Sequence, residues 1–273
     1  MTLERWQLTG TGPESYERYQ VPSVFDPLAR KFLAHMALRP GERVLDVACG
    51  TGIVARHAAA ILGPRGSIVG VDLNEKMIEV ARAHSPSTGA AIVWRQGDVE
   101  SLPCPDADFD VVLCQQGMQY FPNKAVAVRE MNRVLGRGGR LGLCVWRTID
   151  HSPCHLAIAA SLGRHISDPV AQRFQAVFSF GDGDALREVL AAGGFPDAEI
   201  ASDVLMRRLL PPQESVPGLL ASTPVGPDFS ALARETQQTI IDEVATALAD
   251  YRSGDGLEVP QATWLVRAAK QDQ

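Results

Sequence analysis

RVLDVACGTG, at residues 43–52, is the stretch that decides the fold of this 273-residue chain. The run VLDVA at 44–48 is apolar except for Asp46, which is typical of a buried strand in a parallel sheet. Two glycines follow, and then IVARHAAAIL at 53–62, whose alanines and leucine favour a helix. A strand that passes through glycines into a helix begins a βαβ unit, so the sequence predicts a parallel sheet.

The alternation of strand-like and helix-like segments continues along the chain. The predicted strands are 43–48, 67–72, 90–96, 109–115, 140–146, 198–210 and 262–270. The predicted helices are 53–62, 75–84, 124–135, 152–165, 184–192 and 230–251. Each strand reads as too apolar to have a solvated face, so helices should cover both faces of the sheet. The predicted fold class is α/β, a doubly wound, seven-stranded, mostly parallel sheet with helical cap insertions.

The simple alternation fails after Trp146, and this sets the expected domain organisation. Residues 147–181 and 211–259 read as insertions between strands of the sheet. We expect an N-terminal helical cap segment at 1–40 and a ligand-binding core at 41–146. The remainder, 147–273, should complete the sheet and carry both insertions, which together with the N-terminal segment would cap one end of it.

Composition narrows the class of function. The formal charge of −6 and a pI near 5.5 would repel phosphate backbones, so no nucleic-acid partner is expected. The absence of a long apolar run predicts no membrane span and a cytoplasmic protein. The cysteines are odd in number and form no CxxC pair, which argues against a disulfide framework and a zinc ribbon. These cysteines are Cys49, Cys104, Cys114, Cys144 and Cys154.

Three acids lie at or near the carboxyl ends of three successive strands, which is where ligands of open α/β sheets bind. Asp46 precedes the glycine turn, Asp72 ends the second strand, and Asp98 follows the third. A carboxylate beside the turn would receive a cationic amine, the second would bind ribose hydroxyls, and the third would accept from an exocyclic amine. A pyrophosphate would be repelled by Asp46. The set fits an adenosine ligand with an amine and no phosphate, which describes S-adenosylmethionine.

The motifs together resemble those of the class I, Rossmann-like S-adenosylmethionine-dependent methyltransferases, most of all the small-molecule branch that includes the quinone-biosynthesis C-methyltransferases. The resemblance covers roughly residues 40–146. One departure is Ala48, which stands where many members have the first glycine of the motif. The matching stretches are VLDVACGTG (44–52), GVDLNEKMIEVAR (70–82), GDVESLPCPDADFDVV (97–112) and REMNRVLGRGGRL (129–141).

The resemblance implies an enzyme that moves a methyl group from S-adenosylmethionine to the oxygen, nitrogen or carbon of a small molecule. Asp46 and the turn after it would hold the methionyl part, and Asp72 would bind the ribose. The adenine would lie against Leu73 and Met77, with its edge at Asp98 and Val99. The cofactor-binding residues implied are Asp46, Ala48, Cys49, Gly50, Gly52, Asp72, Leu73, Met77, Gly97, Asp98, Val99 and Gln115.

Two other functions remain open at this point. GTGIVA (50–55) also satisfies the dinucleotide fingerprint, so an NAD(P)-dependent oxidoreductase is the alternative enzyme. Tyr120 and Lys124 have the YxxxK spacing of short-chain dehydrogenases, but Pro122 should open the helix between them and leave Tyr120 in the loop. A non-catalytic adenosine-binding module is the third reading, and a homodimer is compatible with any of the three.

The acceptor side is less clearly marked. Gln119, in CQQGMQYFPN (114–123), falls where many relatives have a histidine, and it can orient an acceptor but cannot take its proton. His151 is the remaining candidate base. A metal site at His151, Cys154 and His155 lacks a fourth ligand, so no metal is expected. Finally, three aromatic residues either close over the cofactor or simply pack on the sheet. These are Tyr16, Tyr19 and Phe25.

Overall fold

The computed structural model describes residues 8, 10 and 12–271 of the chain. Its contacts divide the chain into two compact units. The first unit comprises the described residues up to Val145, residues 182–203, and those from Trp264 onward. The second unit comprises residues 146–181 and 204–263. The insertions expected from the sequence, 147–181 and 211–259, both fall within this second unit. Whether they cap the sheet stays a prediction.

Within residues 12–271 the strands form one sheet, in the order β3-β2-β1-β4-β5-β8-β6, with β7 paired antiparallel to β8. The pairs β1–β2, β1–β4, β2–β3 and β4–β5 are parallel. The predicted α/β class and mostly parallel sheet are therefore confirmed. In chain order the strands are β1 (Arg43–Val47), β2 (Ser67–Asp72), β3 (Ala91–Gln96), β4 (Phe109–Gln115), β5 (Leu135–Trp146), β6 (Glu199–Leu209), β7 (Arg252–Ser253) and β8 (Gly256–Ala269).

Three details of the strand prediction were wrong. The sheet gains a short extra strand, β7, where a hairpin leads into β8. Strand β5 begins at Leu135 instead of 140. Its first residues include the stretch GRGG, which is not an apolar run and so did not indicate a strand. The pairing with β4 also shifts register beside Phe109. The strands are not all buried on both faces. Strands β3 and β6 form the two edges of the sheet, and Trp94 is the one buried residue of β3.

The helices agree with the sequence in the first half of the chain and depart from it in the second. The sequence did not predict the helices at Asp168–Gln175, Pro212–Ala221 and Gly226–Ser230. The long helix expected at 230–251 covers only Arg234–Ala247. A π-helical stretch, Tyr16–Phe25, joins α1 to α2. The helices are α1 (Gly12–Ser15), α2 (Asp26–Met36), α3 (Ile53–Leu62), α4 (Glu75–Ala83), α5 (Lys124–Val134), α6 (Pro153–His165), α7 (Asp168–Gln175), α8 (Gly183–Ala192), α9 (Pro212–Ala221), α10 (Gly226–Ser230) and α11 (Arg234–Ala247).

The second unit has an apolar core of its own, built by helices α6, α7, α9, α10 and α11 with the start of β8. Ile158, Leu220 and Ile240 are fully buried in it. All five cysteines are buried thiols that form no disulfide within the described residues. Among the described residues no helix is both long and apolar enough to span a membrane.

The register of the first unit brings the ends of β1, β2 and β3 to one edge of the sheet. Val47 pairs with Val71, and Asp72 pairs with Gln96, so the three strands stop side by side. Because the strands are parallel, the loops that follow them leave from the same edge. The predicted rim of acids therefore has the topology that the sequence argument required.

Candidate cofactor-binding site

The turn after β1 uses left-handed backbone at three places, with φ of +54° at Ala48, +55° at Gly50 and +88° at Gly52. The amide of Gly52 donates to the carbonyl of Cys49 at 2.9 Å, which closes the turn. Left-handed backbone is free for glycine but costs an alanine roughly 1–2 kcal/mol. Ala48, the departure from the family pattern, thus keeps the conformation that glycine would favour.

Trp94 supports this turn from the edge strand, and the sequence argument did not find it. Its indole lies across Gly70 of β2 and reaches Gly52, so closely that a β-carbon at either glycine would overlap the ring. The indole Nε1 donates to Ser85 Oγ at 2.7 Å, which fixes the ring's orientation. The signal was a glycine within β2 beside a tryptophan on the neighbouring strand, and their pairing is visible only once the register is known.

Asp46 is almost fully buried, and its Oδ2 accepts the amide of Ala55 at 3.1 Å. The carboxyl therefore caps the first turn of α3 as well as standing beneath the glycine turn. Burial, with a smaller contribution from the negative charge of Asp72, raises the pKa of Asp46 to about 8. Asp46 thus has a structural role as a helix cap, in addition to the position expected for a ligand-binding acid.

Asp72 joins the glycine turn to the start of α4. Its Oδ2 accepts the amide of Gly50 at 2.8 Å, and its Oδ1 accepts the amide of Asn74 at 2.9 Å. Loss of hydration raises the pKa of Asp72, although these backbone amides act in the opposite direction. Asn74 caps α4, and its side-chain oxygen accepts the amide of Lys76 at 3.0 Å. Each carboxylate oxygen of Asp72 retains a further acceptor site.

The residues proposed for the adenine lie in the two neighbouring loops. Leu73 and Met77 are partly exposed and Val99 is buried, while Asp98 is exposed. Asp98 Oδ1 accepts the amide of Glu100 at 2.9 Å within its own turn. The amide of Gly97 donates to the carbonyl of Asp72 at 3.0 Å, so the loop after β3 is held against the loop after β2.

The N-terminal helical segment, residues 12–36, is tied to the loops of this site. The Glu17 carboxylate and the Arg56 guanidinium of α3 are 2.7 Å apart. Asp26 and His57, also on α3, are 2.6 Å apart. Gln115 Nε2 donates to the carbonyl of Phe25, and α1 contacts α4; Leu8, which precedes the segment, accepts from Asn74 Nδ2 through its carbonyl. The segment is thus held against three of the elements that form the site.

Within that segment the structure separates the three aromatic residues proposed as a cover. The rings of Tyr16 and Phe25 are 5.0 Å apart. Burial raises the pKa of the Tyr16 hydroxyl, and the nearby Tyr120, Asp72, Glu17 and Asp46 raise it further. Tyr19 differs from this pair, since its side chain is 60% exposed and has the Arg18 guanidinium over its ring, and its part in a cover stays a prediction.

Comparisons with known proteins agree with this geometry. Residues 44–139 match the sequence profile of a family described as "Methyltransferase domain". The chain is 37% identical over 150 residues to a ubiquinone/menaquinone biosynthesis C-methyltransferase of Ectopseudomonas mendocina, covering 47% of this chain and 59% of that protein. It is 36% identical over 149 residues to the protein of that name in Ectopseudomonas oleovorans, covering 47% of this chain and 88% of that sequence. The chain belongs to the class I S-adenosylmethionine-dependent methyltransferases.

Solved structures of this methyltransferase family share the fold. Haemonchus contortus phosphoethanolamine N-methyltransferase 2, solved with phosphomonomethylethanolamine and S-adenosylhomocysteine, superposes with a TM-score of 0.59 at 19% identity, covering 99% of this chain and 59% of that chain. An arsenic(III) S-adenosylmethionine methyltransferase of Chlamydomonas reinhardtii gives 0.51 at 19% identity, covering 84% and 63%. The match to the first curated relative spans only about three-fifths of its length.

Polar side chains follow β4, where the acceptor is expected from the sequence. Gln119 is 7% exposed and donates to Gln116 Oε1 at 3.3 Å. The side-chain oxygens of Gln115 and Gln119 are buried without a hydrogen-bond partner among the described residues. Burial raises the pKa of the neighbouring Tyr120 to about 12, although a hydrogen bond with Gln119 opposes this shift. Tyr120, which the sequence argument treated only as a decoy, belongs to this group.

The dehydrogenase alternative requires Tyr120 and Lys124 on one helix, and the structure separates them. Tyr120 ends a 3₁₀ turn, Met118–Tyr120, whereas α5 begins at Lys124 after the Asn123 cap. The amine of Lys124 donates to the carbonyl of Phe121. The expected break is confirmed, although Asn123 caps the helix in place of Pro122.

The histidines beyond β5 lie in the second unit. His151 ends the 3₁₀ turn Ile149–His151, where its Nε2 lies 2.7 Å from a guanidinium nitrogen of Arg147. His155 contacts the rings of Phe174 and Phe178. Among the described residues no three metal-ligating side chains come together.

Proposed function

We propose that this chain transfers the methyl group of S-adenosylmethionine to a small-molecule acceptor by in-line displacement. The observation that carries the proposal is the pairing of two desolvated carboxylates, Asp46 and Asp72, at adjacent strand ends with a glycine turn between them. Such carboxylates are costly in an empty protein, and a ligand bearing a cationic amine and a ribose diol would offset that cost.

The donor set fits this cofactor residue by residue. The two remaining acceptor sites of Asp72 suit the vicinal hydroxyls of a ribose. Asp46, together with the amides of the glycine turn, suits the ammonium and carboxylate of a methionyl group. Leu73 and Met77 would contact the adenine faces, and Asp98 and Val99 its edge. When bound, the cofactor supplies an electrophilic methyl group on a sulfonium.

The residues of the N-terminal helical segment would exclude water from the reacting groups. Tyr16 and Phe25 present aromatic faces, which favour a neighbouring sulfonium cation. As the nucleophile takes the methyl group from sulfur, the positive charge of the sulfonium disperses. A site that excludes water and aligns the nucleophile therefore contributes more to the rate than a covalent catalytic residue would. We assign the cover to Tyr16 and Phe25 and leave Tyr19 out of it.

Gln119 would orient the acceptor through its buried, unpartnered carbonyl oxygen, and His151 remains the candidate base. An amide cannot accept a proton at neutral pH, so the acceptor would arrive ionised or react through an electron-rich carbon. The names of the curated relatives, C-methyltransferases of quinone biosynthesis, support carbon as the methylated atom. We also propose that the protein is cytoplasmic, that it binds no nucleic acid, and that it forms a homodimer.

Calorimetry with S-adenosylhomocysteine and NAD, in parallel titrations, tests the cofactor assignment. We expect binding of S-adenosylhomocysteine in the micromolar range, which Asp72→Ala abolishes because the ribose loses both acceptors. Glu79→Gln is the matched control, since Glu79 is an acid on α4 that pairs only with the exposed Lys76. Preferential binding of NAD would contradict the proposal. Transfer of label from S-adenosylmethionine to a panel of metabolites then separates an enzyme from a binding module.

A further inference from the structure

Arg207, in the second unit, is a buried cation without a counter-charge. It lies on β6, is 4% exposed, and donates from one terminal nitrogen to Gln261 Oε1 at 3.0 Å. No acidic side chain among the described residues pairs with it, and its Nε is buried without a partner. A guanidinium has five N–H donors, so most of this one's capacity is unused.

The surroundings of Arg207 are neutral. Cys154 and His155, in the first turn of α6, are close enough for its charge to act on both, and burial together with that charge lowers the pKa of His155 to about 3. Imidazole and thiol are thus uncharged at neutral pH. Burial likewise lowers the pKa of the Arg207 guanidinium, which is the expected response of a cation kept from water without an anion.

The start of α6, where Cys154 and His155 lie, adds further hydrogen-bond donors. The helix has 13 residues, and no side chain caps its first amides. The residue before it, Ser152, is fully buried, and its hydroxyl has no hydrogen-bond partner among the described residues. A helix N-terminus carries partial positive charge and offers amides to an anion.

We propose that the guanidinium of Arg207 and the first turn of α6 bind the carboxylate of a small organic acid. A planar guanidinium matches a carboxylate through two parallel hydrogen bonds. One buried cation balances one negative charge, so a singly charged carboxylate suits the site better than a phosphate dianion, which would leave a charge unpaired. The rings of Phe174 and Phe178 around His155 favour an aromatic body for that acid.

This proposal does not depend on methyl transfer, because its residues lie in the second unit and its ligand is measured by binding alone. The probe is benzoate, titrated calorimetrically into the full chain without cofactor. Benzamide, which has the same shape and no charge, and phenyl phosphate, which is a dianion, are the comparison ligands. We expect saturable single-site binding of benzoate, with benzamide at least about thirtyfold weaker, since an unpaired buried charge is costly.

Arg207→Met should abolish benzoate binding, whereas Arg208→Gln should not, because the Arg208 side chain is 89% exposed on the opposite face of β6. Without ligand, Arg207→Met should melt at the same or a higher temperature than the parent, since it removes an uncompensated buried charge. Should this variant fail to fold, Arg207→Lys keeps the charge and loses the planar fork, and its affinity for benzoate must then fall at least about tenfold.

Three results would overturn the proposal. The first is the absence of saturable benzoate binding, and the second is undiminished binding in a folded Arg207 variant. The third is tighter binding of phenyl phosphate than of benzoate, which would assign the site to a doubly charged ligand.

Discussion

Asp46 and Asp110 lie on neighbouring strands of the sheet and respond to their surroundings in opposite ways. Burial raises the pKa of Asp46 to about 8, whereas the Arg43 guanidinium and amide lower the pKa of Asp110. The first carboxyl has one amide for a partner, and the second has an ion pair at 3.1 Å. The contributions of Asp46 and Asp110 to the free energy of unfolding should therefore depend on pH in different ways, and measurements over a range of pH can tell them apart.

Asp46→Asn should change how stability depends on pH. Above about pH 4 the unfolded chain has released the Asp46 proton, but the folded chain keeps it until about pH 8. Stability from this group is thus full below pH 4 and is lost as the pH rises toward 8. The asparagine variant, which still accepts the Ala55 amide, should gain on the order of 2 kcal/mol relative to the parent between pH 5 and 8 in urea unfolding.

Asp110→Asn is the control for that experiment. Because the pKa of Asp110 is lowered, its contribution is present above pH 4 and is lost as the pH falls through the folded value. Its effect on stability should be constant between pH 5 and 8, and small, because the pair is partly exposed. An equal slope in both variants would contradict the pKa assignment for Asp46.

For single residues, the sequence predicted the structure where a residue interacts with its close neighbours in the chain. Asn74 precedes its helix by one residue, and the turn glycines follow their strand directly, so both could be read from spacing. Trp94 could not, because it meets the turn through a tertiary contact across more than 40 residues, and Tyr16 was proposed only as one of three aromatic residues that the sequence could not tell apart. Arg207 stands next to Arg208 in the stretch MRRLL (206–210), and the sequence does not show which of the two arginines faces inward; the structure shows that Arg207 is buried and Arg208 exposed.

At the edge of the sheet formed by β2 and β3, one face is exposed to solvent and the other is closely packed. The row formed by Asp46, Gly70 and Trp94 crosses three adjacent strands in register. One side of β3 is open to solvent, with Val93 49% exposed, while Trp94 is buried over Gly70. This edge therefore tolerates change on one face and none on the other.

Gly70→Ala should destabilise the fold by about 1–3 kcal/mol, because the new methyl group overlaps the Trp94 ring. In a Trp94→Ala background the same substitution should cost much less, and thermal unfolding of the four proteins measures the difference. Gly218→Ala serves as the control, since nothing lies within 4 Å of the added methyl group. Equal costs in both backgrounds would show that the ring is not the obstacle.

The N-terminal helical segment makes a second prediction at this scale. Tyr16→Leu should weaken S-adenosylhomocysteine binding about tenfold, mainly through faster dissociation, because the aromatic face and hydroxyl beside the carboxylates are lost. Tyr19→Leu, three residues along and exposed, should leave dissociation unchanged. Stopped-flow dissociation measures both, and an equal effect of the two variants would remove Tyr16 from the cover.

The element prediction succeeded where helices and strands alternate strictly, up to α5, and failed where they do not. Helices α7, α9 and α10 are short or contain proline, so their apolar periodicity spans too few turns to stand out. The early part of β8 reads GLEVPQ, whose proline argues against a strand. These segments take their form from the core of the second unit.

For the molecule as a whole, the sheet is completed by strands from the end of the chain. Strand β5 lies between β4 and β8 in the sheet order, and Leu141, Leu143 and Val145 are buried on it. The family match ends within this strand, at residue 139. The cofactor loops are therefore encoded in the first half, but the sheet that carries them is not.

A fragment that ends at Trp146 should consequently fail to fold, although it contains every predicted cofactor-binding residue. Without β8, the apolar face and hydrogen-bonding edge of β5 would be exposed, which favours aggregation. We expect dye binding typical of exposed apolar surface and no cooperative thermal transition. A cooperative transition that shifts upward with S-adenosylhomocysteine would show that the first half is self-sufficient.

The chain passes between its two units four times, at 145/146, 181/182, 203/204 and 263/264. A nascent polypeptide emerging from the ribosome therefore finishes neither unit until its final strand has left the exit tunnel. Early segments must wait, with their apolar faces exposed, for partners synthesised much later. Folding of both units in the cell should accordingly await the synthesis of β8, and recruitment of a chaperone that binds nascent chains should be greatest while residues 146–203 are emerging.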